Sequence, residues 1–124
     1  MSSKRILLID DENSIRLVIQ VSLNQLANWT VLTAATSAEG LCQAKIEQPD
    51  AILLDLMMPE MDGLTVLKKL KANPETSDIP VILLTAKLQP MGYNQFDQQD
   101  LAGILTKPFD PLTLAHQIAE ILDW

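Results

Sequence analysis

The chain has 124 residues, which suits a single domain over 1–124 and leaves little room for a second. Hydrophobic residues at 48% and charged residues at 20% sustain a real core and exclude a disordered chain. A net charge of −7 argues against a nucleic-acid surface, which needs clustered Lys and Arg, and against docking on anionic lipid.

Lys4-Arg5 precede an apolar stretch too short for a signal peptide, and no apolar run approaches the ~20 residues of a membrane span. The lone cysteine, Cys42, excludes an internal disulfide. The simplest location is the cytoplasm.

Residues 5–9 read as a first strand. Residues 14–27 read as a helix with Asn13 as N-cap, carrying Ile15, Val18, Ile19, Ser22 and Leu26 on one face. Residues 30–35 read as a second strand. Thr36-Ser37-Ala38-Glu39 fits a capping box that opens a helix to about Glu47. Pro49-Asp50 breaks it, and 51–54 forms a third strand. Asp62 caps a third helix to about residue 72, a polar turn covers Asn73 to Asp78, and 79–84 forms a fourth strand. Pro90 and Gly92 push a short fourth helix to about 93–99. Residues 102–105 read as the fifth strand. Asp110-Pro111 supplies an N-cap and a first-turn proline for a fifth helix running to the C-terminus. This alternation implies βαβ units, a five-stranded parallel sheet and a three-layer α/β/α sandwich.

Polar groups follow the apolar runs at four places: Asp10-Asp11, Asp55, Thr85 and Lys107-Pro108. Runs such as Ile6-Leu7-Leu8-Ile9 read as strands buried on both faces, and parallel strands all end on one edge. Ligands of open α/β sheets bind beyond that edge. Three carboxylates gathered there repel one another, and a hard cation such as Mg2+ relieves the repulsion. No His or Cys lies close in sequence, which disfavours Zn2+. Lys107 offers a point charge and Thr85 a hydroxyl to a phosphoryl group. One carboxylate could attack phosphorus directly. Asp55, alone after its strand, is the better candidate, while the Asp10-Asp11 pair looks like a metal clamp.

The chain resembles the response-regulator receiver domains of bacterial two-component signalling, among them the single-domain chemotaxis regulators. The resemblance rests on Asp10-Asp11, on Asp55-Leu56-Met57-Met58-Pro59 with Met61-Asp62-Gly63 behind it, on Thr85-Ala86 and on Lys107-Pro108-Phe109. It implies a flavodoxin-like, doubly wound (βα)5 fold. It also implies that Asp55 accepts phosphate from a histidine kinase or a histidine phosphotransfer protein. Asp11, Asp55 and the Met57 backbone carbonyl would bind Mg2+, with Asp10 acting mainly through ordered water. Lys107 would pair first with Asp55 and then with the phosphoryl group, and Thr85 would hydrogen-bond it. The Lys107-Pro108 bond would be cis. Many receivers carry Tyr or Phe three residues before the lysine. Here that switch position holds Ile104, too small and stiff for the same swing, which leaves the output route open.

Several residues carry a plain reading beside a functional one. Cys42 is read as a small buried hydrophobe. His116 is read as a solvated surface histidine with no acid-base partner nearby. Met57 and Lys87 occupy the positions that tune dephosphorylation in the family. Leu17 and Val21, with Ser14 and Ile15 beside them, read either as partly buried or as a kinase-docking patch. Leu114, Ile121 and Trp124 read either as a weak dimer patch on the fourth helix–fifth strand–fifth helix face or as a frayed terminus.

A phosphorylation-controlled switch therefore leads, its only catalysis being on itself. A Mg2+-dependent phosphohydrolase with an aspartate nucleophile usually needs an acid two residues after it, where Met57 stands, and a cap for which this chain lacks length. A phosphorylation-independent scaffold needs a broken site. The chain is either a diffusible receiver or one domain of a larger protein, and its downstream partner is not legible.

Overall fold

The computed structural model describes residues 4–55, 63–85, 101–106 and 110–124, without the side chain of Leu64. The strands are β1 (Arg5–Ile9), β2 (Thr30–Ala34), β3 (Ala51–Asp55), β4 (Val81–Thr85) and β5 (Gly103–Thr106). The helices are α1 (Asn13–Ala27), α2 (Ser37–Glu47), α3 (Gly63–Ala72) and α4 (Leu114–Leu122). All strands are parallel, in the order β2-β1-β3-β4-β5, so the sheet is doubly wound with its order reversing at β1. The helix expected at 93–99 lies outside the described residues.

Strand alternation sorts the apolar side chains into two cores. Leu7, Ile9, Ile52, Leu54, Val81 and Leu83 face one way and pack with Ala44 of α2 and Val66, Leu67 and Leu70 of α3. Ile6, Leu8, Leu53, Ile82, Leu84 and Leu105 face the other way and pack with Ile19 and Leu23 of α1 and Leu114 and Ile118 of α4. This is why β1, β3 and β4 are apolar at nearly every position. A strand covered by helices on both faces has no solvent side to mark with polar residues.

The helix ends follow local chemistry. Thr36 caps α2, its Oγ1 accepting the Glu39 N–H at 3.1 Å. The C-caps Asn28, Gln48 and Asp123 adopt left-handed backbone. Gln48 carries no special aptitude for that region, but its Nε2 donates to the carbonyls of Ala44, Lys45 and Glu75. Gly40 lets α2 approach β1 closely: a Cβ there would lie 2.5 Å from Ile9 Cδ1.

Several sequence expectations need correction. Asn13 is the first residue of α1, not its cap. Glu12 holds the cap position, without a side-chain hydrogen bond. The buried face of α1 comprises Ile19, Ser22 and Leu23, whereas Val18 and Leu26 are exposed, since the sheet covers a narrower arc than the apolar pattern suggests. Strand β4 starts at Val81, two residues late, because 73–79 form turns. Asp110 organises a turn rather than capping the last helix. Its Oδ1 accepts the Leu112 N–H and its carbonyl the Thr113 N–H, and α4 begins only at Leu114.

That shift buries Leu114 completely, so it belongs to the core and not to a dimer patch. Ile121 is partly buried and packs against the same core. Trp124 is not frayed. Its ring meets Trp29 edge-on at 5.2 Å, Lys4 Nζ lies 4.9 Å from its centroid, and its N–H bonds the Ala119 carbonyl. Cys42 is exposed rather than buried, because α2 turns that face outward. His116 does have an acidic neighbour, with Glu120 one turn on at 3.1 Å.

Candidate functional site

Strands β1, β3 and β4 run through the core and bring a polar residue to the same edge. β1 delivers Asp10, which is fully buried, and the exposed Asp11 follows in the turn to α1. β3 ends on Asp55, 4% exposed, and β4 on Thr85, 6% exposed. Asp55 and Thr85 are thus the final residues of their strands. Register pairs Asp55 with Leu84, so Thr85 stands one residue further out on the neighbouring strand. Ile104 sits in β5 opposite Leu83, partly buried against the α2–α3 core. Lys107 and Met57 lie outside the described residues, as do the Lys107-Pro108 bond and Lys87.

Asp10, Asp11 and Asp55 converge: each offers a carboxylate oxygen, and these oxygens all lie within 4.8 Å of one another. No other such grouping of His, Cys, Asp or Glu occurs among the described residues. The donor set suits a hard cation. It holds oxygen only, and Mg2+ is typically held by one or two carboxylates while keeping several waters. A soft metal would want sulfur or imidazole, and neither belongs to the cluster.

The turn carrying Asp10 and Asp11 is held at several points. The Asp10 N–H donates to the Ala34 carbonyl at 3.1 Å, and Asp10 Oδ1 accepts the Glu12 N–H at 2.9 Å. Arg16 Nη1 donates to the Asp10 carbonyl at 2.8 Å, while Nη2 donates to Asn13 Oδ1 at 2.9 Å. Arg16 does not stand out in the sequence. The only signal is an arginine one turn into the helix that follows the acidic pair.

The expected docking residues lie on α1. Ser14 is exposed, Leu17 is 62% and Val21 50% exposed, whereas Ile15 is partly buried against the core. Leu17 and Val21 are thus each at least half exposed. No described helix is long and apolar enough to cross a membrane.

A doubly wound sheet with an acidic cluster at the ends of β1 and β3 defines a receiver-type α/β signalling protein. The profile of the response regulator receiver domain matches residues 6–119, and the chain belongs to that family. It is 37% identical over 118 residues to the DNA-binding dual master transcriptional regulator RpaA of Synechocystis, covering 95% of this chain and 48% of that protein. It is 39% identical over 120 residues to the response regulator PleD of Caulobacter vibrioides, covering 96% of this chain and 26% of that protein. The chain thus spans about half the length of the first relative and about a quarter of the second. Among solved structures, the chemotaxis protein CheY4 of Vibrio cholerae superposes with a TM-score of 0.89 at 29% identity, covering 97% of this chain and 99% of that one. The fold is therefore the flavodoxin-like receiver fold. Receiver domains are signalling modules of two-component systems rather than classical enzymes.

Proposed function

We propose that the 124 residues act as one cytoplasmic receiver domain that takes a phosphoryl group on Asp55 from a histidine kinase or histidine phosphotransfer protein. The observation carrying this reading is the convergence of Asp10, Asp11 and Asp55 within 4.8 Å at the ends of β1 and β3. In the transfer, a carboxylate oxygen of Asp55 forms a bond to phosphorus as the phosphorus–nitrogen bond of phosphohistidine breaks. The leaving imidazole takes up a proton, and the product is an aspartyl phosphate.

Asp10, Asp11, Asp55 and the Met57 carbonyl would hold Mg2+, which supplies charge neutralisation for the phosphoryl oxygens. Thr85 would donate its hydroxyl to one of those oxygens, and Lys107 would offer its ammonium to another. The buried Asp10 and Asp55 keep bulk water from their inner faces, which favours strong electrostatics at this edge. Ile104, partly packed in the core, would pass the signal outward without the swing of an aromatic ring. The exposed Leu17 and Val21 would meet the phosphodonor.

Intact-mass measurement after incubation with acetyl phosphate and Mg2+ tests the reading. The expected result is a gain of one phosphoryl group that a chelator suppresses. No gain under either condition overturns it.

A further inference from the structure

We propose that Arg16 is a positioning residue for the cation-binding acids, holding the Asp10–Asp11 peptide so that both carboxylates face Asp55. The inference rests on the Mg2+ reading above and goes beyond it, since Arg16 does not belong to the carboxylate cluster.

The argument begins with peptide planarity. The carbonyl of Asp10 and the N–H of Asp11 share one rigid plane, so whatever fixes that carbonyl fixes where the Asp11 Cα sits. Asp11 needs such help. It is exposed, belongs to no strand or helix, and must still bring an oxygen within 4.8 Å of the two buried acids. Arg16 Nη1 grips the Asp10 carbonyl at 2.8 Å from one side. Its own backbone is fixed by the bond from its N–H to the Glu12 carbonyl at 3.1 Å. The second arm of the fork, Nη2 on Asn13 Oδ1 at 2.9 Å, holds the guanidinium plane. The fork reaches these two acceptors from two separate nitrogens in one fixed plane, a geometry that the single nitrogen of a lysine ammonium does not reproduce.

The charge of Arg16 acts in the opposite sense. A cation beside three carboxylates repels a second cation, so an arginine acting by charge alone would weaken Mg2+ binding. The two roles therefore predict opposite signs. If Arg16 positions the turn, Arg16→Met weakens Mg2+ binding although it removes a positive charge.

Calorimetric titration of the full chain with MgCl2, without any phosphodonor, makes the test, with thermal melts run alongside. Arg16→Met and Arg16→Lys are each expected to raise the Mg2+ Kd by about tenfold, the lower end of effects seen when supports of metal ligands are removed. The exposed Asn13→Ala shifts Kd the same way by less, and adds nothing in the Arg16→Met background because the fork is already gone. Asn13→Ala also keeps the test decisive should the Arg16 variants fail to fold. Unchanged or tighter Mg2+ binding in Arg16→Met, or in Asn13→Ala if only that variant folds, overturns the positioning role and leaves the proposed function standing. A wild-type chain that binds no Mg2+ overturns both.

Discussion

At the edge where the strands begin, Arg5 sets its guanidinium 2.8 Å from a Glu47 carboxylate oxygen, and its backbone N–H donates to Asp50 Oδ2 at 2.8 Å. Nearby, Lys4 covers the Trp124 ring, and Lys71 Nζ donates to the carbonyls of Ser77 and Ile79. At the edge where the strands end, three carboxylates lie within 4.8 Å of one another, two of them buried. The first edge sets Arg5, Lys4 and Lys71 against an acceptor or a ring, and the second gathers three carboxylates among the described residues. Pairing opposite charges costs a fold little, whereas crowding acids raises the cost of ionising them. A hard cation bound at the second edge would offset that repulsion, which is what the proposed function asks of it.

The largest effect expected is from Asp55→Asn, which removes the nucleophile and one of the crowded charges together. Labelling by acetyl phosphate, followed by intact mass, should fall to zero. The same variant should also lose most of its stabilisation by Mg2+. In the wild type that stabilisation should reach about 2.7 kcal/mol at a hundredfold excess over Kd. Full labelling of the variant would move the phosphoacceptor elsewhere and remove the contrast between the edges.

Much of this was legible from sequence because the central strands carry an unusually plain signal. Residues 6–9, 51–54 and 81–84 are apolar on both faces, and each hands a polar residue to the same edge. The errors arise where partners are distant or coverage is partial. Val18 and Leu26 have the right helical spacing, yet periodicity does not tell how wide an arc the sheet covers, so Leu23 takes their place in the core. Leu114 looked peripheral because Asp110-Pro111 reads as a helix start, whereas the chain first makes a turn. Trp124 looked stray because Trp29 and Lys4, which hold it, are far away in sequence. Arg16 is silent in the sequence for a similar reason, since its main target is a backbone carbonyl and carries no side-chain signature.

A middle-sized effect should come from Gly40→Ala, which sits between packing and site. The new Cβ would meet Ile9 Cδ1, Cγ1 and Cγ2 at 2.5, 2.7 and 3.0 Å, and Ile9 is fully buried. Overpacking of this kind costs about 1–3 kcal/mol, offset in part by the better helix propensity of alanine. Urea denaturation should show a lower midpoint at unchanged slope. Ile9→Val in the same chain should recover part of the loss by removing Cδ1. Because Ile9 is the residue before Asp10, Mg2+ affinity should fall as well, which links core packing to the acidic edge. A stable variant with normal Mg2+ binding would show that α2 can shift without disturbing that edge.

The smallest effect, and the sharpest check on the separation of the two edges, should come from Trp124→Ala. An edge-on aromatic pair is worth about 0.5–1.5 kcal/mol beyond burial. A cation over an exposed ring adds about 0.5–1 kcal/mol. These two contacts together are worth about 1–2.5 kcal/mol, or roughly 4 °C in Tm for each kcal/mol at this chain length, with the lost burial of a ring that is 37% exposed adding to it. Lys4→Ala should remove only the cation's share. Mg2+ affinity should be unchanged in both variants, since Trp29, Trp124 and Lys4 lie where β1 and β2 begin and the acids lie where β1 and β3 end. A Trp124→Ala variant whose Mg2+ Kd shifted as far as that of Arg16→Met would mean that the strands carry strain from one edge to the other, and that the two edges act as one unit.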